Sequence, residues 1–297
     1  MDLTILIVTH NGENYLHQCI NSIYQTTTDI CFEVIVVDNA SSDGTAALVK
    51  NKFPQVTLIQ NEQNLGFAKA NNQAIKQAKG RYVVILNQDV VILDNALGKM
   101  VSFLDHYPET GAVGCKIYTS LAKTDIQISA FKRFPTPGIV FLHTLINGRF
   151  KKIFSGSKMV KMLSDKYLMH CASHNFQQEV EHLIGAIIMT RQDIISQVGL
   201  LDERFFMYLE ETDWCYRIRK KGWKIYFLPD AEIVHFYDPK RSSKGMQKKI
   251  RQQSYLKYLS KHHSLFSLVL FKYFYTALSL KDKISGLLGN RNTLQEN

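Results

Sequence analysis

Three carboxylates, Glu210, Glu211 and Asp213, lie within four positions of "YLEETDW", directly behind the run Phe205-Phe206-Met207-Tyr208. Such a cluster has two uses. In the first turn of a helix through "TDWCYRIRKKGW" to Gly222, the acids oppose the helix dipole, as do Arg217, Arg219, Lys220 and Lys221 in the last turn, by roughly 0.3–1 kcal/mol each. A carboxylate whose pKa is raised by apolar neighbours such as Phe206, Tyr208 and Trp214 also suits general-base work. A second candidate is "LNQDV", where Asn87 and Asp89 follow an apolar run with Gln88 between them. Strand alternation puts both on one side. A carboxylate and an amide oxygen there could hold Mg2+ or Mn2+, ions that favour oxygen and keep positions open for substrate phosphates.

These groups need elements to hold them. Residues 1–117 alternate apolar runs ("LTILIV", "FEVIVVD", "VTLIQN", "RYVVILN", "GAVGCKI") with helical patterns near 13–25, 43–51, 67–78 and 94–105. That alternation predicts an α/β fold, a mostly parallel sheet flanked by helices, whose ligands bind at the carboxyl ends of the strands. At those ends stand Thr9-His10-Asn11-Gly12, "DNASSDGT" from Asp38, "NLGFAKANN" and "LNQDV". Asp38 could accept hydrogen bonds from a base or a ribose, while Ser41, Ser42 and Asp43 equally suit helix capping. Asn64 and Gly66 open a helix whose N-terminus suits phosphate, and Asn71 follows one and a half turns on.

From 118 to 182 the alternation breaks down around Pro135, Pro137 and Gly138, which reads as an insertion. It resumes with "HLIGAIIMT", a helix "RQDIISQVG", the acidic segment, and the strands "WKIYFL" and "AEIVHF". "HCASH" (170–174) with His182 fits no standard zinc spacing.

The 297 residues are 45% hydrophobic, enough for a substantial core. Five scattered cysteines argue against a disulfide framework and for a reducing compartment. The start shows neither a signal peptide nor a spanning helix, so a cytoplasmic location, peripheral on the inner face of a membrane, is expected. Residues 240–297 hold 12 Lys and Arg against 2 Asp and Glu, which accounts for the whole net charge of +10. The tail reads as a basic amphipathic helix suited to an anionic membrane surface or as a solvated face on a packing helix. No recognisable nucleic-acid module accompanies it.

In this order, "ILIVTHNG", "VIVVDNASSDGT", "NLGFAKANN", "VVILNQDV", "GAIIMTRQDIISQVGLLDERFFMYLEETDWCYRIRKKGW" and "VHF" resemble glycosyltransferase family 2, with the GT-A fold, in its rhamnosyltransferase-like subgroup. The match spans residues 3 to 236, mainly without the insertion. The resemblance implies a GT-A domain over 1–239, with a nucleotide-sugar-binding half (1–117), the insertion (118–182) and an acceptor and catalytic half (183–239), followed by the tail (240–297). It implies that Asp38 contacts the base and that Thr9 and Asn11 line the nucleotide pocket, with Asn39, Ser41, Asn64, Gly66, Phe67 and Asn71 in the donor-binding motifs. Asn87-Gln88-Asp89 takes the place of the family's D-x-D metal site, with Asn87 departing from its first acid. His235 falls where some members use a further metal ligand, and Glu211, or secondarily Asp213, where they place the catalytic base.

The activity so implied is inverting, non-processive transfer of a sugar from a nucleotide-diphosphate donor, such as dTDP-rhamnose or a UDP-hexose, to a glycan or lipid-linked acceptor in cell-surface polysaccharide biosynthesis. Oligomers are compatible with it. A nucleotide-sugar-binding protein without catalysis is the alternative, and the intact acidic cluster argues against that.

Overall fold

Runs of β-branched residues, each followed by a helix with one apolar face, build the N-terminal half of the protein. The computed structural model describes residues 1–136, 138, 174–236, 244–264 and 269. Strands β1 (Leu3–Thr9), β2 (Phe32–Asp38), β3 (Thr57–Gln60) and β4 (Tyr82–Asn87) alternate with helices α1 (Glu13–Thr26), α2 (Thr45–Lys52) and α3 (Phe67–Ile75), where the sequence places them. Leu3, Ile5, Leu6 and Ile7 of β1 and Val34 to Val37 of β2 are buried. Helices cover both faces, so these strands read as continuous apolar runs rather than alternations.

Then follow β5 (Val90–Leu93), α4 (Ala96–His106), β6 (Thr110–Tyr118), a single 3-10 turn (Ile128–Ala130), β7 (Phe131–Lys132), β8 (Gln178–Glu179), β9 (His182–Leu183), β10 (Ile187–Arg191), α5 (Gln192–Val198), α6 (Glu210–Lys220), β11 (Lys224–His235) and α7 (Lys244–His262). The main sheet runs β3-β2-β1-β4-β10-β6-β11-β5, with β8 also on β11. Its first four strands are parallel. Past β4 the sheet is mixed, because β10 lies antiparallel to both β4 and β6. β6 and β11 are parallel, and β5 is antiparallel to β11.

Two sequence segments divide differently from expectation. "HLIGAIIMT" makes two strands, of which β9 pairs with β7 in a separate small sheet and β10 enters the main one. "WKIYFL" and "AEIVHF" are one strand, whose ladder to β6 shifts register between Leu228 and Glu232, around Pro229. Proline has no N–H to give, so the ladder opens there as a bulge.

This topology decides where the chemistry collects. β1 lies between β2 and β4, all three parallel, so the order in which strands are added reverses there, a switch point that leaves a crevice beyond their carboxyl ends. The carboxyl ends of β6 and β11 and the start of antiparallel β10 lie along the same edge. Thr9, Asp38, Asn87 and His235 therefore end strands on one side of one sheet.

The chain divides into two compact units, Met1–Phe134 with Met169–Ser254, and Pro135–Leu168 with Tyr255–Asn297. In the second, Tyr258 and Leu259 are buried, and Tyr258 packs against the ring of His262. Most of the expected insertion, including His170 and Cys171, and the tail beyond 264 apart from 269 lie outside the described residues. Among the described residues no helix is long and apolar enough to cross a membrane.

Candidate active site

The loops after β1 and β2 are laced together by their own polar side chains. Asn11, in the left-handed region at φ 51°, donates its amide to Ser41 Oγ at 2.9 Å, and its Oδ1 accepts the Ser42 amide at 2.8 Å. Gly12 donates to Thr45 Oγ1, and Asp43 accepts the amides of Thr45 and Glu13. Asp43 thus joins the starts of α1 and α2, while the N-cap position of α2 itself is Gly44. Asp38 is buried, and its Oδ1 accepts the Ser41 amide at 3.0 Å.

Asn39 is the hub of the next loop. Its Oδ1 accepts the Leu65 amide at 3.0 Å and Asn61 Nδ2 at 3.1 Å, while its Nδ2 donates to Asn64 Oδ1 at 2.9 Å. Asn64 Oδ1 also accepts the Gly66 amide, and the Phe67 amide donates to the Phe206 carbonyl at 2.7 Å. The amides of Leu65, Gly66 and Phe67 are thus spent on shaping the loop. Gly66 has φ +83°, and a Cβ there would lie 2.5 Å from the Phe206 carbonyl oxygen, so only glycine fits. Asn71 Nδ2 closes back on the Phe67 carbonyl, whereas its neighbour Asn72 bridges to Leu201 on the far side of the chain.

After β4 the chain turns at Gln88 and Asp89, both nearly buried. Gln88 Oε1 accepts from the Thr9 hydroxyl and from the His10 amide, joining the β1 and β4 loops across the switch point. Asn87 and Asp89 meet on one imidazole nitrogen. Asn87 Nδ2 and Asp89 Oδ1 are each 3.3 Å from His235 Nε2. They share a side as expected, brought there by a turn rather than by the strand pleat. β5 pairs Val90 with His235 across the sheet, which brings that histidine to the "LNQDV" segment.

Asp89 Oδ1 and His235 Nε2 fit a divalent cation. Neighbouring donors around a hard ion with bonds of about 2.1 Å stand roughly 3 Å apart, close to the 3.3 Å found. Among the described residues no third His, Cys, Asp or Glu joins them, so substrate oxygens would complete the shell. His174 and His182 belong elsewhere: His174 stacks on Phe131, and His182 contacts the Leu183 and Arg133 carbonyls, with burial holding its pKa down to about 4.

The acidic segment forms a helix with its acids in the first turn and Arg217, Arg219 and Lys220 in the last. Tyr208 and Leu209, just before it, both sit at positive φ (70° and 67°). Two such residues in succession store backbone strain, which the fold holds by burying Phe205, Leu209 and Trp214. The three acids then part company. Asp213 is fully buried against Arg217 Nε at 2.9 Å, and Arg217 in turn holds the carbonyls of Val198, Gly199 and Leu200. It anchors the turn between α5 and α6.

Glu210 and Glu211 each keep a buried oxygen, Oε2, with no hydrogen-bond partner. Burial raises both pKa values, with mutual repulsion adding to Glu210. Glu210 lies well above the ordinary carboxylate value, and Lys132 works against the rise at Glu211. Gly185 lies against the Glu211 side chain, its Cβ position 3.7 Å from Glu211 Cγ, and the next residue, Ala186, accepts the Asn87 amide at 3.0 Å. One short segment thus touches both the acid and the "LNQDV" turn.

A raised folded-state pKa means that the folded protein binds protons more tightly than the unfolded chain. Stability from Glu210 is therefore fully present below the ordinary carboxylate value and is lost as pH rises through the folded-state value, by about 1.4 kcal/mol per unit of elevation. Glu210→Gln is expected to raise the melting temperature at pH 8 and to add little at pH 4. Thermal melts across that range measure it, and a pH-independent difference would contradict it.

Two groups here have no sequence signal. Gln127 accepts from His235 Nδ1 at 3.1 Å, and Lys132 reaches Glu211 electrostatically from β7. Both come from the stretch where periodicity fails. Desolvation lowers the Lys132 pKa; Glu211 opposes that shift and Arg251 adds to it. Arg251 stands 4.7 Å over the Tyr208 ring, near Ser254, which donates to the Met207 carbonyl at 2.8 Å.

The N-acetylglucosaminyl-diphospho-decaprenol L-rhamnosyltransferase of Mycobacterium tuberculosis is 25% identical over 244 residues, covering 78% of this chain and 75% of that protein. The low-salt glycan biosynthesis hexosyltransferase Agl10 of Haloferax volcanii is 24% identical over 238 residues, covering 79% and 67%. Among solved structures, the mannosyltransferase PcManGT from Pyrobaculum calidifontis, in complex with GDP-Man and Mn2+, superposes with TM-score 0.58 at 18% identity over 98% of this chain and 79% of that one. S. aureus TarS 1-349 in complex with UDP gives 0.53 at 18% identity, over 88% and 72%. These likenesses show the fold to be GT-A. The family model for glycosyl transferase family 2 matches residues 4–170. With more than half of its sequence matched by that model, the chain belongs to glycosyltransferase family 2 and is a glycosyltransferase.

Proposed function

We propose that the enzyme transfers a sugar, with inversion, from a nucleoside diphosphate donor to a hydroxyl of a lipid-linked glycan in cell-surface polysaccharide assembly. The observation that carries this reading is Glu211: a carboxylate of raised pKa, with one unpartnered oxygen, against the segment that touches the Asn87–Asp89 turn. Glu211 takes the proton of the acceptor hydroxyl as that oxygen bonds to the anomeric carbon. The bond from that carbon to the phosphate oxygen breaks on the opposite face, and its electron pair leaves with the diphosphate. Glu210 holds a proton of its own, so that Glu211, next to Lys132, is the acid left ionised.

Asp38 and the Thr9–Asn11 loop receive the nucleoside, and the Asn39, Ser41, Asn64, Gly66, Phe67 and Asn71 framework gives the pocket its shape. Asp89 and His235 hold the divalent cation, with Asn87 and Gln88 setting their turn; when bound, the cation offsets the charge developing on the leaving diphosphate. Their mixed oxygen and nitrogen donors favour Mn2+ over the oxygen-demanding Mg2+. The solved mannosyltransferase with GDP-Man and Mn2+ supports such a donor complex.

The rhamnosyltransferase relative, whose name specifies a diphospho-decaprenol-linked acceptor, supports a deoxyhexose donor such as dTDP-rhamnose and a lipid diphosphate acceptor. Lys132, coupled electrostatically to both Glu211 and Arg251, suits an anionic acceptor, and the exposed Lys248 and Lys249 of α7 suit an anionic membrane surface.

Donor hydrolysis over a panel of dTDP-, UDP- and GDP-sugars, with and without Mn2+, tests the proposal. We expect Mn2+-stimulated release of one nucleoside diphosphate, foremost from dTDP-rhamnose. Preference for a UDP-hexose would revise the donor, and no hydrolysis or transfer from any of them would overturn the reading.

A further inference from the structure

His235 ends β11 at 6% exposure, too enclosed for water to decide which ring nitrogen carries its proton. Its Nδ1 lies 3.1 Å from Gln127 Oε1. The other end of that amide, Gln127 Nε2, donates to Ser129 Oγ at 3.2 Å. The backbone is pinned as well: the Gln127 amide donates to the Ile117 carbonyl at 2.7 Å, and its carbonyl accepts the Ala130 amide at 3.0 Å. Gln127 Oε1 can only accept, so Nδ1 carries the hydrogen, and in the neutral ring Nε2 keeps the lone pair. That lone pair has Asn87 Nδ2, a donor, and Asp89 Oδ1 each 3.3 Å away.

We propose that Gln127 is a positioning residue that holds His235 in its Nδ1–H tautomer, so that Nε2 is presented beside Asp89 as a ready ligand for a divalent cation. This rests on the metal reading given above and adds the residue that orients the ligand. An acceptor on the far nitrogen of a metal-binding imidazole fixes both its tautomer and its ring orientation, and removing one typically weakens metal binding about 10- to 100-fold. The role also gives the stretch after β6 a use that its sequence does not advertise: it returns a single amide to the end of β11.

Two measurements on the full-length protein test it. The first uses 15N-labelled histidine without added metal, near pH 8. The His235 ring shifts of the wild type should report Nδ1–H, those of Gln127→Glu should report the same, and those of Gln127→Leu should move toward the Nε2–H form. The second follows free Mn2+ by electron paramagnetic resonance. Gln127→Leu should bind Mn2+ about 10- to 100-fold more weakly than wild type. Gln127→Glu, whose carboxylate also accepts from Nδ1, should bind within roughly threefold of it.

Melting temperatures of both variants are recorded, since a merely structural role would lower them together and would give no rescue by glutamate. Unchanged ring shifts in Gln127→Leu, or equal Mn2+ affinity, would overturn the proposal alone. Wild type with the Nδ1–H tautomer but no Mn2+ binding would instead overturn the metal reading, and the ligand-orienting role with it.

Discussion

Glu211→Gln is expected to lower sugar transfer by about 10²–10⁴-fold while leaving nucleoside diphosphate donor binding within roughly threefold of wild type. The amide keeps the size and most of the packing of the acid against Gly185, and it removes only the capacity to take a proton. Glu210→Gln is the natural comparison. Its side chain is the more deeply buried and the more strongly pushed toward the protonated form, so replacing it with an isosteric neutral group should leave turnover within roughly threefold. Steady-state transfer and donor titration on the two variants give the answer. Near-normal transfer in Glu211→Gln would sink the assignment, and equal losses in both would point to the pair acting as one unit.

Asp89→Ala is expected to weaken Mn2+-dependent donor binding by about 100-fold or more and to reduce transfer at least as far. Asp89 is the sole carboxylate in the Asn87-Gln88-Asp89 turn, and its partner His235 offers one nitrogen. With the carboxylate gone, His235 and Asn87 remain, a neutral set with little hold on a hard cation. Binding of donor with and without Mn2+, followed by calorimetry, separates the cases. A loss that is the same in the presence and absence of Mn2+ would mean that Asp89 shapes the turn and holds no ion.

The N-terminal half of the fold was legible because β1, β2 and β4 are buried on both faces and β1, β2 and β3 are each followed by helix-opening glycine, asparagine or serine. The strand-end residues followed directly from that alternation. Less could be read where partners are distant in sequence. β5 follows Asp89 after a turn with no glycine or proline to mark it, and nothing local says that Val90 will pair with His235. The reversal of β10 is likewise a long-range choice, made by its pairing with β4 and β6.

In the acidic segment, the spacing of Asp213 and Arg217 is that of an i,i+4 pair, so the anchoring role of Asp213 was open to inspection. What separates Glu211 from Glu210 was not, because it depends on Lys132 arriving from β7. Gln127 escaped for the same reason: one amide in an aperiodic stretch carries no pattern until the ring it faces is in place.

The loop that opens α3 differs from an ordinary surface connection in how its amides are closed. Leu65 gives its hydrogen to Asn39 at the end of β2, Gly66 gives its own to Asn64, and Phe67 reaches the carbonyl of Phe206. Three neighbouring hydrogens are thus held by acceptors from three parts of the chain, and none exchanges with solvent by simple fraying. The segment opens only when the β2 end and the approach to α6 let go as well, which makes it part of their cooperative folding unit. Order at the carboxyl edge of β2 is thereby tied to order at the helix that carries the acids.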